Sequence, residues 1–228
     1  MVLLQEMRDT PSVTLGFWIR TGSRREPARL AGMAHFLEHL LFKGTKMRSA
    51  RALVETIDGV GGNLNAFTAK EYTVVTCHVL AEHLPLALEV VGDMFAHSLL
   101  PADELERERG VIREEIRMYE DTPDDLVHDV LNQAAWSEPG LGRSILGTAA
   151  TLDRIDRAAA REFYRRAYQP ANLMISIAGL FNPDEVLRLR EGSWTIVDVH
   201  TGAAAVRAEP FEAVELVLGE LWPDAEPA

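Results

Sequence analysis

The segment His35-Phe36-Leu37-Glu38-His39 has the residue types and the spacing of a metal site. In a helix, residues four apart lie on one face, so the imidazoles of His35 and His39 can hold one cation. Glu38, three residues after His35, points the same way. Zinc held by three protein ligands lowers the pKa of a bound water towards about 7, and a nearby carboxylate can take the proton. The segment predicts zinc-dependent hydrolysis; the alternative is a solvated helix face that happens to carry two histidines.

A helix must present these side chains, and the surrounding sequence predicts one. From Leu30 to Phe42, apolar residues recur at steps of three and four, which is typical of a helix with one buried stripe. The members of the stripe are Leu30, Met33, Leu37, Leu40 and Leu41. The residues Thr21-Gly22-Ser23 separate this helix from the preceding strand pattern.

The rest of the chain, to about residue 180, mixes strand and helix patterns. Alternating apolar residues predict strands at 2–7, 13–19, 63–68, 72–80 and 173–178. Helical spacing predicts helices from Ser49 to the Gly61-Gly62 stop and at 82–97, 101–119, 126–135 and 152–167. Strands and helices do not alternate regularly, so the predicted fold class is α+β.

The composition of the 228 residues is that of a globular chain, with 47% hydrophobic and 25% charged residues. A formal net charge of −12 would repel nucleic acid and anionic membrane surfaces, so we expect neither as a partner. No apolar run approaches the roughly 20 residues of a spanning helix and no signal peptide is evident, so we expect a cytoplasmic protein. The single cysteine, Cys77, is predicted to be a buried thiol.

Three separated blocks resemble the pitrilysin, insulinase and mitochondrial processing peptidase family of zinc metallopeptidases, the inverzincins, whose His-x-x-Glu-His order reverses that of the common zincins. The blocks are residues 35–45, 61–68 and 106–116. Shorter matches are Leu141-Gly142, Leu146-Gly147-Thr148 and the series Phe163, Tyr168, Pro170 and Asn172. The resemblance implies a mostly antiparallel sheet covered by helices. It also implies an N-terminal catalytic domain at 1–180, followed by a divergent or truncated segment at 181–228.

The resemblance implies a third zinc ligand on the helix predicted at 101–119. The ligand of the family falls on Glu115, with Glu114 as the nearest rival. Without the family, the crowd of glutamates in this segment would predict only a solvated acidic helix. Glu108, two turns before Glu115, would lie on the same face and could orient a histidine ring, which would give it a part in catalysis. Zn²⁺ is the one cofactor implied.

The reaction implied by the resemblance is the hydrolysis of a peptide. Glu38 would remove a proton from zinc-polarised water and return it to the leaving amine. Asn65, Ala66 and Thr68 fall in the strand to which, in the family, an extended peptide adds as another strand. Asn65 would also lie near the scissile carbonyl; the alternative for Asn65 is an Asx turn after Gly61-Gly62.

Family members usually carry a second half of similar fold, which closes over the first. This chain ends before such a half, so we expect a homologous second half or subunit as partner, in a homo- or hetero-oligomer. The alternatives are a non-catalytic scaffold subunit and a truncated fragment. The intact set of His35, Glu38, His39 and Glu115 favours the peptidase. A helical di-metal carboxylate site would need Glu-x-x-His pairs on facing helices, and none are evident.

Overall fold

The computed structural model describes residues 1–182 and three short strands at 199–200, 205–206 and 216–217. The strands are β1 (Val2–Glu6), β2 (Ser12–Ile19), β3 (Asn63–Thr68), β4 (Thr73–Leu80), β5 (Leu173–Gly179), β6 (Val199–His200), β7 (Ala205–Val206) and β8 (Leu216–Val217). The helices are α1 (Met33–Leu41), α2 (Ala50–Asp58), α3 (Leu84–His97), α4 (Ala102–Glu120), α5 (Pro123–Ala135), α6 (Pro139–Gly142), α7 (Ala149–Leu152) and α8 (Arg157–Ala167). Most of the segment 181–228, predicted to be divergent or truncated, lies outside the described residues. Within the described part of the chain, no helix is both long and apolar enough to cross a membrane.

Among the residues that the structure describes, the main sheet has six strands in the order β3-β4-β2-β5-β1-β6. The pairs β3-β4, β4-β2 and β2-β5 are antiparallel, whereas β1 runs parallel to β5 and to β6. The sheet is therefore mixed but mostly antiparallel, and the predicted α+β class is confirmed. Strand β3 lies at one edge of the sheet, which leaves one side of its backbone unpaired by any described strand.

The apolar core lies between one face of this sheet and the helices. Side chains alternate between the two faces of a strand, and in β2 the alternate residues Val13, Leu15, Phe17 and Ile19 are buried. Helix α1 is central to the core: its residues Met33, Phe36, Leu37, Leu40 and Leu41 are each at most 1% exposed. Because α1 is packed on most of its sides, packing fixes its position and with it the direction of its polar side chains.

Cys77 lies in this core, on β4, and is unpaired. Burial raises the pKa of its thiol to about 11, so the thiol stays protonated and unreactive at neutral pH. The prediction of a buried structural cysteine is confirmed.

The first turn of α1 is constrained by a close crossing of the backbone. The helix begins at Met33 and not at Leu30 as the periodicity predicts, because Leu30 belongs to a separate 3₁₀ turn. Between them, Gly32 has a φ of 95°, in the left-handed region. A Cβ at Gly32 would lie 2.5 Å from the carbonyl oxygen of Leu146, so the position requires glycine. Glycine has no side chain with which to cap the helix, so the cap must come from elsewhere.

The prediction of one helix at 152–167 is wrong at its start, because residues 153–156 are not helical and separate α7 from α8. Asp156 caps α8 by accepting a hydrogen bond from the backbone N–H of Ala159 at 2.7 Å. Arg109, a buried residue of α4, fills the break. Its guanidinium donates to the carbonyl oxygens of Leu152 and, at 2.9 Å, of Ile155. The buried cation therefore adds a second donor to the Leu152 carbonyl, which also accepts the N–H of Ile155, and supplies a donor to the Ile155 carbonyl. These contacts anchor α4 against the segment between α7 and α8.

Candidate metal centre

Helix α1 presents His35 and His39 one turn apart, as their spacing predicts. The centroids of the two rings lie 4.7 Å apart, with the ring planes inclined at 65°. The His35 side chain is 9% exposed and that of His39 is 22% exposed. The pair therefore lies at the margin of the core, with one ring accessible from outside.

Glu115, on α4, faces both imidazoles. Its Oε1 lies 3.5 Å from His35 Nε2, and its Oε2 lies 3.6 Å from His39 Nε2. The rival Glu114 is 66% exposed and pairs instead with Arg117, at 2.5 Å. The structure thus brings Glu115, and not Glu114, to the two histidines.

The three donor groups fit a zinc ion by chemistry and by distance. One ligand atom from each of His35, His39 and Glu115 can be chosen so that all three lie within 4.8 Å of one another. Zinc binds nitrogen and carboxylate oxygen at about 2.0–2.2 Å in tetrahedral geometry, which separates neighbouring ligand atoms by roughly 3.3 Å. The observed distances of 3.5 and 3.6 Å are close to that value. His35, His39 and Glu115 can therefore form a zinc site, and two nitrogens with one oxygen suit zinc better than calcium or magnesium.

The protonation state of the buried His35 also suits a metal ligand. Burial, together with the neighbouring His39, lowers the pKa of His35 to about 3, so the imidazole is neutral and its nitrogen lone pair is available near pH 7. Burial raises the pKa of Glu115, while His39 lowers it in part. His35 Nδ1 is buried and has no hydrogen-bond partner in the described part of the chain, so no hydrogen bond at this nitrogen orients the ring.

Glu108 orients the second histidine. Its Oε2 lies 2.9 Å from His39 Nδ1 and its Oε1 lies 2.7 Å from Lys43 Nζ, and the residue is only 5% exposed. Burial raises the pKa of Glu108, but the hydrogen bonds from Lys43 and His39 outweigh it and lower the pKa below its ordinary value. An ionised Glu108 accepts the Nδ1–H of His39, which leaves Nε2 directed at the metal position.

We expect Glu108→Gln to raise the dissociation constant for zinc by roughly 10- to 100-fold, because a carboxylate that orients a ligand also increases its basicity. Competition with a chromogenic chelator measures this constant. Glu104→Gln is the matched control: Glu104 lies on the same helix and contacts Arg107 at 2.5 Å, away from both histidines. Equal zinc affinities in wild type and in Glu108→Gln would refute the orienting role.

Glu38 lies near His35, His39 and Glu115 but is not one of the three candidate metal ligands. Its Oε2 accepts a hydrogen bond of 2.6 Å from the hydroxyl of Thr68, on the edge strand β3. Burial raises the pKa of Glu38, Thr68 and His39 lower it, and the negative charge of Glu115 raises it again. The carboxylate is therefore held by the sheet on one side and lies within electrostatic reach of His39 and Glu115 on the other.

The residues predicted to bind substrate all lie on β3. Asn65 pairs with Thr76 and Ala66 with Val75 in the antiparallel ladder. Asn65 stands within the strand, so the alternative of an Asx turn is wrong, although its Oδ1 accepts the N–H of Ala66 at 2.8 Å. The hydroxyl of Thr68 is engaged with Glu38. A role for these residues in binding peptide stays a prediction.

Three features of the site and its surroundings were not predicted from the sequence. They are the contact of Lys43 with Glu108, the hydrogen bond between Thr68 and Glu38, and the buried Glu26, which precedes α1. A signal existed for Lys43, which follows His39 by four residues and so shares its face of the helix end. The contact between Thr68 and Glu38 joins residues 30 apart, and no local pattern predicts it.

Comparison with known sequences places this site in a family. The profile of Insulinase (Peptidase family M16) matches residues 1–149, which contain both histidines, Glu38 and Glu115. The chain belongs to the M16 peptidase family. The resemblance to the insulinase and pitrilysin group is thereby confirmed. Zinc, the expected cofactor, fits the donor set of His35, His39 and Glu115, and it appears in the name of the zinc protease described next.

Individual members of the family share both sequence and fold. An uncharacterized zinc protease of Bacillus subtilis, YmxG, is 46% identical over 178 residues, which are 78% of this chain and 44% of that protein. A solved protease from Helicobacter pylori is 25% identical with a TM-score of 0.77, and the match covers 83% of this chain and 46% of that one. A solved M16 inactive domain from Pseudomonas fluorescens shares the fold at a TM-score of 0.76 and 20% identity, over 82% of this chain and 46% of that one. This chain spans about half the length of the curated relatives that it matches.

Proposed function

We propose that this chain is the zinc-binding catalytic half of an M16 metalloendopeptidase, which hydrolyses peptide bonds in peptides or unfolded protein segments. The observation that carries the proposal is the convergence of His35, His39 and Glu115 beside the carboxylate of Glu38. The names of relatives such as YmxG, a zinc protease, support the same class.

The chemistry divides between the metal and the chain. A zinc ion held by His35, His39 and Glu115 would supply Lewis-acid activation of a water molecule and of the substrate carbonyl. Glu38 accepts the proton of the attacking water and later donates it to the nitrogen of the leaving amine. Burial moves the pKa of Glu38 upwards, towards the working pH, and so suits a group that must both accept and release a proton. Thr68 holds one carboxylate oxygen of Glu38 and leaves the other for the proton.

The substrate would bind along β3. This strand is at the edge of the sheet, so an extended peptide can add to it through backbone hydrogen bonds that do not depend on sequence. Because the last residue of β3, Thr68, contacts Glu38, a peptide on this edge would pass next to the catalytic carboxylate. Asn65 and Ala66 would then flank the bound peptide.

A second half of similar fold would complete the reaction chamber, on the same polypeptide or as a separate subunit. The support is that the chain spans 44% of the Bacillus subtilis relative and 46% of the Helicobacter pylori protease. The second candidate function is a non-catalytic partner subunit. It is favoured by the shared fold of the inactive M16 domain from Pseudomonas fluorescens, and it is opposed by the complete donor set of this chain.

Peptide cleavage tests the proposed function. We expect an unfolded protein substrate or a quenched fluorescent peptide to be cleaved by the zinc-loaded chain, either alone or fused to the C-terminal half of YmxG. A chelator should abolish cleavage, and added zinc should restore it. No cleavage by either form, with zinc bound, would contradict the peptidase and favour the non-catalytic subunit.

A further inference from the structure

Glu26 is a buried carboxylate that lies outside the zinc site but touches the helix that builds it. The residue is 5% exposed and follows the 3₁₀ turn Ser23–Arg25. Its Oε2 accepts the backbone N–H of Gly32 at 2.8 Å, and its Oε1 accepts the N–H of Ala34 at 2.6 Å. Both hydrogen bonds are buried. The two carboxylate oxygens of Glu26 therefore both contact the backbone at the start of α1.

Helix α1 needs such a partner because its own sequence provides none. The first N–H groups of a helix have no intrahelical acceptor, and a local Ser, Thr, Asp or Asn normally supplies one. Here the capping position is Gly32, and the first turn contains no acidic residue. A helix of nine residues is also too short to be stable by itself. Glu26 supplies two acceptor oxygens at this end of the helix, for the N–H groups of Gly32 and Ala34.

Two cations hold Glu26 in place. The guanidinium of Arg143 donates to the backbone carbonyl of Glu26 at 2.8 Å, and the ammonium of Lys70 donates to the carbonyl of Arg143. Burial raises the pKa of Glu26 to about 7, against the hydrogen bonds from Ala34 and Gly32 and the positive charges of Arg143 and Lys70, which lower it. The N–H groups of α1 and these two cations therefore offset only part of the cost of burying this carboxylate.

We propose that Glu26 is a positioning residue of the zinc site, which caps α1 from outside the helix and fixes the first turn that carries His35. Ala34, whose N–H it binds, directly precedes His35 in the chain. His35 has no hydrogen bond at Nδ1 from the described residues, unlike His39, which Glu108 orients. The position of the His35 ring therefore depends on the backbone of the first turn, and the hydrogen bonds to Glu26 fix that backbone. The inference rests on the proposed zinc peptidase function.

The test is zinc affinity in Glu26→Gln, measured by chelator competition on the 228-residue chain. Glutamine keeps the size of the side chain but presents an NH₂ group to one of the two N–H donors, so one hydrogen bond becomes a donor–donor contact. We expect the dissociation constant for zinc to rise about tenfold or more, as for other residues that orient ligands. We also expect the visible absorption bands of the Co²⁺-substituted chain to shift, because the geometry at His35 changes.

Asp156→Ala is the matched control, since it removes the cap of α8 and leaves both hydrogen bonds of Glu26 to α1 in place. It should lower the melting temperature without changing zinc affinity or the cobalt bands. If circular dichroism shows that Glu26→Gln does not fold, Glu26→Asp replaces it, because aspartate keeps the charge but cannot reach both N–H groups. Its zinc affinity should then lie below that of wild type.

The outcomes separate this inference from the proposed function. Wild-type zinc affinity in the folded Glu26 variant, or an equal loss in Asp156→Ala, would overturn the positioning role and leave the zinc site standing. A wild-type chain that binds no zinc would overturn the proposed function and this inference together.

Discussion

Replacement of Glu38 by glutamine is expected to lower the rate of peptide cleavage by roughly 10²- to 10⁴-fold while zinc stays bound. Glutamine can still accept the hydrogen bond that Thr68 donates at 2.6 Å, so the local structure should persist. It cannot take a proton from water, so the general base is lost. The donors of His35, His39 and Glu115 are unchanged. The measurement is the cleavage rate of a fluorescent peptide, together with the zinc content of the same samples.

The control for this variant is Glu71→Gln, which removes the charge of a carboxylate that contacts Arg24 at 2.5 Å, outside the metal site. It should keep both cleavage and zinc. Cleavage at the wild-type rate by Glu38→Gln would rule out Glu38 as the base. Loss of zinc from Glu38→Gln would instead show that Glu38 contributes to holding the metal.

The second large effect is expected from Glu115→Gln, which should weaken zinc binding by more than about 100-fold, the upper range for residues that only orient ligands. Glu115 supplies the oxygens that lie 3.5 Å from His35 Nε2 and 3.6 Å from His39 Nε2. A neutral amide in its place removes an anionic donor from a three-ligand site. The measurement is the dissociation constant for zinc by chelator competition.

Glu114→Gln provides the matched control for this change. Glu114 is the adjacent residue of the same helix, and it contacts Arg117 at the surface. Its replacement should leave zinc affinity within experimental error of wild type. Equal losses in the two variants would mean that charge on α4, and not coordination by Glu115, determines metal binding.

The pattern of residues 35–39 predicted that the two imidazoles lie side by side, because a spacing of four in a helix is a geometric property of the chain itself. Helix α1 indeed places the imidazoles of His35 and His39 with ring centroids 4.7 Å apart. The third donor could not come from spacing. Glu115 is one of many glutamates on α4, and what selects it is the packing of α4 against α1, so it was found only through resemblance to a family.

Long-range contacts set the other limits of prediction. Helical spacing predicts one helix at 152–167, but the cap at Asp156 and the guanidinium of Arg109, which binds the carbonyl of Ile155, stabilise an interruption before α8. The contact from Arg109 joins residues 46 apart, and no local pattern predicts it. Glu26 was missed for a related reason. Helix caps are predicted from the residue directly before the helix, which here is Gly32. The actual acceptor, Glu26, lies six residues earlier in the chain, and the tertiary structure brings it to α1.

Zinc per chain, measured by elemental analysis of protein purified without added metal, tests the central claim most directly. The claim is that His35, His39 and Glu115 form one zinc site within residues 1–182. The predicted result is close to one zinc per wild-type chain, and close to none in a variant with alanine at both His35 and His39. Folded wild-type protein that contains no zinc, and takes up none when zinc is added, would contradict it.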